Sequence, residues 1–136
     1  MKLLVDTNVI ISGLFGSRSY PGQVMRHWRE RHSQWVTCEQ QLEELTRVMG
    51  TPYVMDKVEG TFGSAYAFMM EFHAHTDCLV IEPPFAPLCR DPFDDYLLAM
   101  MDRYPIDFLI SGDKDLLSLK GSHPKILSPR ELIDRL

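Results

Sequence analysis

Four acidic residues, Asp6, Glu44, Asp94 and Asp113, stand where the pattern of the chain lets them act together. Asp6 closes the first apolar run, Lys2-Leu3-Leu4-Val5-Asp6-Thr7-Asn8. Asp113 follows a second run, Phe108-Leu109-Ile110, through Ser111-Gly112, where glycine lets the backbone turn sharply. Short continuous apolar runs read as strands covered on both faces. The carboxyl ends of such strands are where open parallel sheets bind their ligands. Four carboxylates in one cleft repel each other and stay ionised together only with a cation present. Ligands that are all oxygen point to Mg2+ or Mn2+ rather than to zinc. Such an ion can activate water and stabilise the in-line transition state of phosphodiester hydrolysis. No Ser/His/Asp or Cys/His arrangement competes at a recognisable spacing, and no glycine-rich phosphate loop is present.

Glu44 and Asp94 are chosen by helix geometry. On a helix from Cys38 to Met49, residues Cys38, Leu42, Leu45, Val48 and Met49 make the apolar face. At about 100° per residue, Glu44 lies about 105° from the centre of that face and Glu43 about 155° away. Glu44 is therefore at the edge of the core, where it can line a crevice, and Glu43 faces solvent. On the helix after Pro92, Leu97, Leu98, Met101 and Tyr104 face inward. Asp94 precedes Leu97 and Leu98 by three and four residues and shares their side, whereas Asp95 points to solvent. Asp95 and Asp115 are kept as further candidates for a metal. Asp115 also reads as a cap of the short helix that follows it, and Asp91 as an N-cap with proline at the first helical position.

The elements needed to position these acids follow from the same patterns. Strands are expected at 2–5, 35–37, 78–81, 107–110 and 125–127. Helices are expected at 22–32, from Thr37 to about Met49 with Thr37 and Gln40 as a capping box, at 53–59, at 61–75, from Asp91 to about Arg103, briefly at 113–119, and from Ser128 onward. Residues 12–22, rich in glycine and serine, read as a loop. Alternating strands and helices imply an α/β fold: a three-layer α/β/α sandwich around a mostly parallel sheet of four or five strands, with residues 1–136 as one domain.

Composition narrows the class. Apolar content of 45% and charged content of 24% are ordinary for a soluble globular chain. The net charge of −5 opposes a general nucleic-acid footprint, yet Arg18, Arg26, Arg29 and Arg31, with His27 and His32, fall in one stretch whose single acid is Glu30. Those four arginines are the candidate nucleic-acid contacts, and a solvated helix face is the plainer reading of the same stretch. Cys38, Cys78 and Cys89 have no metal-type spacing, and three thiols without a secretory signal fit a reducing cytoplasm. No stretch approaches the ~20 apolar residues of a membrane span.

The motifs Leu4-Val5-Asp6-Thr7-Asn8-Val9, Leu42-Glu43-Glu44-Leu45, Arg90-Asp91-Pro92-Phe93-Asp94-Asp95 and Leu109-Ile110-Ser111-Gly112-Asp113-Lys114-Asp115-Leu116-Leu117 resemble, in order and over nearly the whole chain, those of PIN-domain ribonucleases. The similarity is greatest to the prokaryotic subgroup described as toxin components of toxin–antitoxin modules of the VapBC type. The resemblance implies a PIN-like sandwich and a nuclease that cuts single-stranded RNA. It implies Mg2+ or Mn2+ held by Asp6, Glu44, Asp94 and Asp113, with Asn8 and Ser111 supporting those acids. It also implies a small antitoxin partner and a homodimer. Two other readings are open to the same residues. One is a catalytically inactive PIN domain that binds RNA or protein, against which stands the presence of all four acids. The other is a phosphatase of the haloacid dehalogenase type, whose second aspartate would fall where Asn8 stands.

Overall fold

The computed structural model describes residues 1–60 and 63–136. Among them, five strands form one all-parallel sheet: β1 (Lys2–Val5), β2 (Gln34–Cys38), β3 (Asp77–Leu79), β4 (Phe108–Ile110) and β5 (Ile126–Leu127). Their order across the sheet is β3-β2-β1-β4-β5. β1 is central, with Leu4 opposite both Val36 and Leu109. The chain winds one way from β1 to β2 and β3, then crosses back to β4 and β5. The reversal opens a crevice beyond the carboxyl ends of β1 and β4. Asp6 and Ser111–Asp113 are the residues that follow those two ends.

Alternate strand residues feed two cores, as a doubly covered sheet requires. Leu3, Val5, Trp35, Ile110 and Leu127 pack on one face with Trp28, Leu45, Phe68 and Phe72. Leu4, Val36, Leu109 and Ile126 pack on the other with Leu97, Leu98, Met100 and Leu116. The first face is covered by α1 (Thr7–Phe15), α2 (Tyr20–Arg29), α3 (Glu39–Met49), α4 (Pro52–Glu59), α5 (Ala65–Ala74) and α8 (Pro129–Arg135). The second is covered by α6 (Asp95–Arg103) and α7 (Lys114–Leu117). The expected three-layer α/β sandwich is the observed fold.

Several local expectations differ from the structure. Residues 12–22 are not a loop: α1 runs to Phe15 and α2 begins at Tyr20, capped by the Ser19 side chain on Gly22 N. The glycines that suggested a loop instead let the helices touch. A Cβ on Gly22 would lie 1.8 Å from Gly16 O, and one on Gly13 would lie 2.6 Å from Pro21 O. α2 ends at Arg29 rather than at residue 32, and Arg31 takes the left-handed region with φ 60°. The helix expected over 61–75 is α5 from Ala65 to Ala74, and the part resting on Phe62 lies outside the described residues. Thr37 does not cap α3. Its hydroxyl donates to Gln41 Oε1 (2.7 Å), and Gln41 Nε2 donates to Val5 O (2.6 Å), which ties α3 to the last carbonyl of β1. At the C-terminal helix, Ser128 and Glu131 form a capping box that was not anticipated.

Candidate active site

Asp6 is held in place before any ligand is considered. Its backbone N–H donates to Ile110 O (2.8 Å), and its C=O starts α1. It is 4% exposed, and its Oδ2 accepts from the Ser111 hydroxyl (2.8 Å). The same hydroxyl oxygen accepts from Asp113 N (3.0 Å). Ser111, fully buried, thus joins the ends of β1 and β4 through one side chain. Asp113 Oδ1 in turn accepts from Asp115 N and caps α7.

Beside Asp6 an open cleft of about 650 Å³ is lined by Asn8, Glu44, Asp94 and Asp113, among others. Its lining comes chiefly from the face of α3 that carries Gln40, Glu43, Glu44 and Arg47 and from the segment from Asp91 to Tyr96. Asp6 does not line the cleft. It is coupled to it by charge, since Asp6 raises the proton affinity of both Glu44 and Asp94. Asp94 is pushed up to about 7, first by burial and then by Asp6, Asp91, Asp113 and Glu44. Glu44 is raised by burial and by Asp6, and Arg47 and Tyr96 pull the other way. The Tyr96 hydroxyl stands 3.5 Å from Glu44 Oε2. Burial also raises Asp6, against the Ser111 hydrogen bond. The buried Thr7 Oγ1 has no partner at hydrogen-bond distance, so it eases Glu44 only as a nearby dipole.

These shifts set a pH dependence of stability. A carboxyl that is raised in the folded state binds protons there that the unfolded chain has already released, so stability falls as pH rises. For Asp94 that window runs from about 3.8 to about 7. In EDTA the thermal midpoint should therefore decline between about pH 4 and about pH 7 and level off above that. Burial holds His27 below its usual value, and its contribution has the opposite sign. Asp94→Asn should flatten the decline, which separates the two. A parent curve that rises over this range, or an unchanged slope in Asp94→Asn, would show that the acids are not coupled as described.

The family model for the PIN domain matches residues 2–115. The chain belongs to the PIN-domain family. It is also similar to an uncharacterized protein of Methanocaldococcus jannaschii, 26% identical over 145 residues that cover 98% of this chain and 90% of that protein. PIN domains are generally nucleases, a hydrolytic activity, and generally use divalent metals.

The donors gathered in this PIN domain are all oxygens: no thiol or imidazole lines the cleft. Among the described residues, no three His, Cys, Asp or Glu side chains form a ready-made metal cage. Asp95 does not face solvent. It is 6% exposed, and its Oδ1 accepts from Leu88 N (3.1 Å) and Cys89 N (2.7 Å), anchoring the preceding loop. Asp95 is the first residue of α6, and its side is covered by the loop carrying Leu88 and Cys89, which no helical wheel contains; Asp94 lies in the 3-10 turn Pro92–Asp94 that precedes α6. A 3-10 turn has 3.0 residues per turn, so positions across the junction do not follow α-helical spacing. Asp115 is exposed and pairs with Arg90 at 3.7 Å.

Arg18, Arg26 and Arg29 line a second groove between α1 and α2, which shares no lining residue with the acidic cleft. Arg31 lies apart, with its guanidinium over Trp28 and 4.0 Å from Glu71. Glu43, assigned to solvent, is exposed but lines the cleft mouth. Arg47 was not singled out from the sequence, and Gln40 reads there only as the capping partner of Thr37. Their spacing from Glu44 on one helix, three and four residues, was the available signal. Cys38, Cys78 and Cys89 are free thiols, as expected. No described helix is long and apolar enough to cross a membrane.

Proposed function

We propose that this PIN domain is a Mg2+- or Mn2+-dependent endoribonuclease that hydrolyses phosphodiester bonds of single-stranded RNA. The observation that carries the reading is the gathering of Glu44, Asp94 and Asp113 around one cleft, with Asp6 held beside them on Ser111; their proximity raises the Asp94 carboxyl. Such mutual repulsion is relieved by a cation of hard, oxygen-seeking character. Glu44, Asp94 and Asp113, which line the cleft, would hold it together with Asp6, the buried carboxylate beside them. The orphaned Thr7 Oγ1 and the all-oxygen cleft fit that donor set. A site without a closed cage suits an ion that keeps several waters and uses one or two carboxylates.

When bound, such an ion supplies Lewis acidity and a water activated near neutral pH. The chain's own residues do the positioning. Ser111 fixes the Asp6 carboxylate, Gln41 fixes the end of β1 that precedes it, and Asp113 is oriented by Ser111 and by its own cap on α7. Arg47 provides a cation beside Glu44 for a phosphate oxygen.

The further assignment, toxin of a type II module with a small antitoxin and a homodimeric state, rests on the motif resemblance. Exposed Tyr53, Met55, Tyr66 and Met70 on α4 and α5 offer apolar surface for such partners. The purified protein should cut single-stranded RNA with Mn2+ and stop on addition of EDTA. RNA binding without cutting, across a varied panel, would favour the non-catalytic PIN reading instead.

A further inference from the structure

Phe93 lies on the rim of the acidic cleft and is 83% exposed. One exposed apolar side chain needs no explanation in itself. Its setting does. The surrounding cleft is polar, and Phe93 stands between Asp91 and Asp94. Its backbone is not loose: Phe93 N donates to Asp91 Oδ1 at 3.0 Å, and Asp94 N donates to Asp91 O, so the 3-10 turn that carries the ring is pinned from one residue. Asp91 therefore has a second consequence beyond capping. It presents an aromatic face to water directly beside an acid of the proposed site. Phe85, which lines the same cleft, differs. It packs against the second core and has the Arg103 guanidinium 5.9 Å from its ring centroid. Arg47, on α3, is the one cation among the described lining residues.

An exposed ring on a fixed turn, next to carboxylates and sharing its cleft with an arginine, matches the needs of one nucleotide. The base has a π-face to stack, and the adjoining phosphate takes the cation. We propose that Phe93 is a substrate-positioning residue that stacks one unpaired nucleobase at the mouth of the cleft. The inference rests on the nuclease reading for its ligand. It adds a reason why the substrate should be single-stranded, since a base inside a duplex is already stacked on both faces and cannot reach the ring.

The test is binding, with cutting held off. Fluorescence anisotropy would follow a labelled single-stranded oligoribonucleotide in Ca2+, with the RNA recovered intact on a gel. Three proteins, the parent, Phe93→Ala and Phe93→Trp, would be compared on a normal oligomer and on one of equal length whose central nucleotides are abasic. Phe93→Ala should lose about tenfold in affinity for the normal oligomer, the scale of one base stack. It should lose nothing on the abasic one. Phe93→Trp should bind like the parent, and its indole emission should be quenched by the normal oligomer only. Equal affinity of Phe93→Ala and parent, or the same loss on both oligomers, would overturn the proposal. So would an unquenched Phe93→Trp, or a parent that binds no oligomer. Base-dependent loss in a protein that never cuts with Mn2+ would leave the stack standing and remove the nuclease reading. Cutting with no effect of Phe93→Ala would do the reverse.

Discussion

Asp6→Asn should abolish Mn2+-dependent RNA cleavage while leaving the fold intact or slightly firmer. The two effects separate because Asp6 is costly to the apo-protein and needed for the proposed activity. The carboxylate is nearly fully buried, and burial raises its proton affinity. Asparagine has the same shape, keeps an oxygen to accept from the Ser111 hydroxyl, and removes one of the charges that push on Glu44 and Asp94. The thermal midpoint in EDTA at pH 7.5 should stay level or rise. Activity should fall by at least about 100-fold, because several kcal/mol of transition-state stabilisation depend on the ion, and about 1.4 kcal/mol is tenfold in rate. The rise in midpoint that Mn2+ gives the parent should shrink as well. Cleavage at the parent rate in Asp6→Asn would sink the assignment of Asp6, and cleavage in both that ignores EDTA would point to a contaminating nuclease.

Gly22→Ala should destabilise the protein by about 3 kcal/mol or more, at the upper end of what overpacking costs. The new Cβ would sit 1.8 Å from Gly16 O and 2.8 Å from Ser17 Cα. Both are backbone atoms, so no side chain can swing aside, and the link from the end of α1 must move away from α2. Elsewhere in a helix interior, glycine to alanine gains up to about 1 kcal/mol, so the expected sign is opposite to the propensity argument. Chemical denaturation read by Trp28 and Trp35 fluorescence would measure it, since Trp28 is on α2 and both indoles are buried in the core beneath. A variant as stable as the parent would mean that α2 and that link are not in the contact described. Because α1 begins at Thr7, directly after Asp6, a shifted α1 should also lower activity.

The same pair of helices shows where reading by pattern stops. Residues 12–22 read as a loop because glycine and serine are common in loops. Two of those glycines, Gly13 and Gly22, are instead placed for close approach, and only the packed structure reveals that. The inner aspartate is a similar case. A helical wheel places Asp94 and Asp95 from one regular helix alone, whereas Asp94 lies in the 3-10 turn Pro92–Asp94 and a loop covers Asp95. Asp94 lines the cleft, and Asp95 is buried on backbone N–H groups of a loop it precedes in space but follows in sequence.

The sequence by itself determined the layers, the parallel pairing and the end of the sheet where the acids gather. Those follow from short-range apolar periodicity and from strand ends, which are local properties of the chain. Only the tertiary structure decided how the acids share that end. It buried Asp6 behind the cleft on Ser111 from β4, 105 residues away, and clamped β1 through Gln41 from α3. It also placed Arg26 and Arg29 of α2 in a separate groove and brought Phe93 and Arg47 to one acidic cleft. Those outcomes depend on which surfaces meet when distant elements pack, and no spacing along the chain encodes such a meeting.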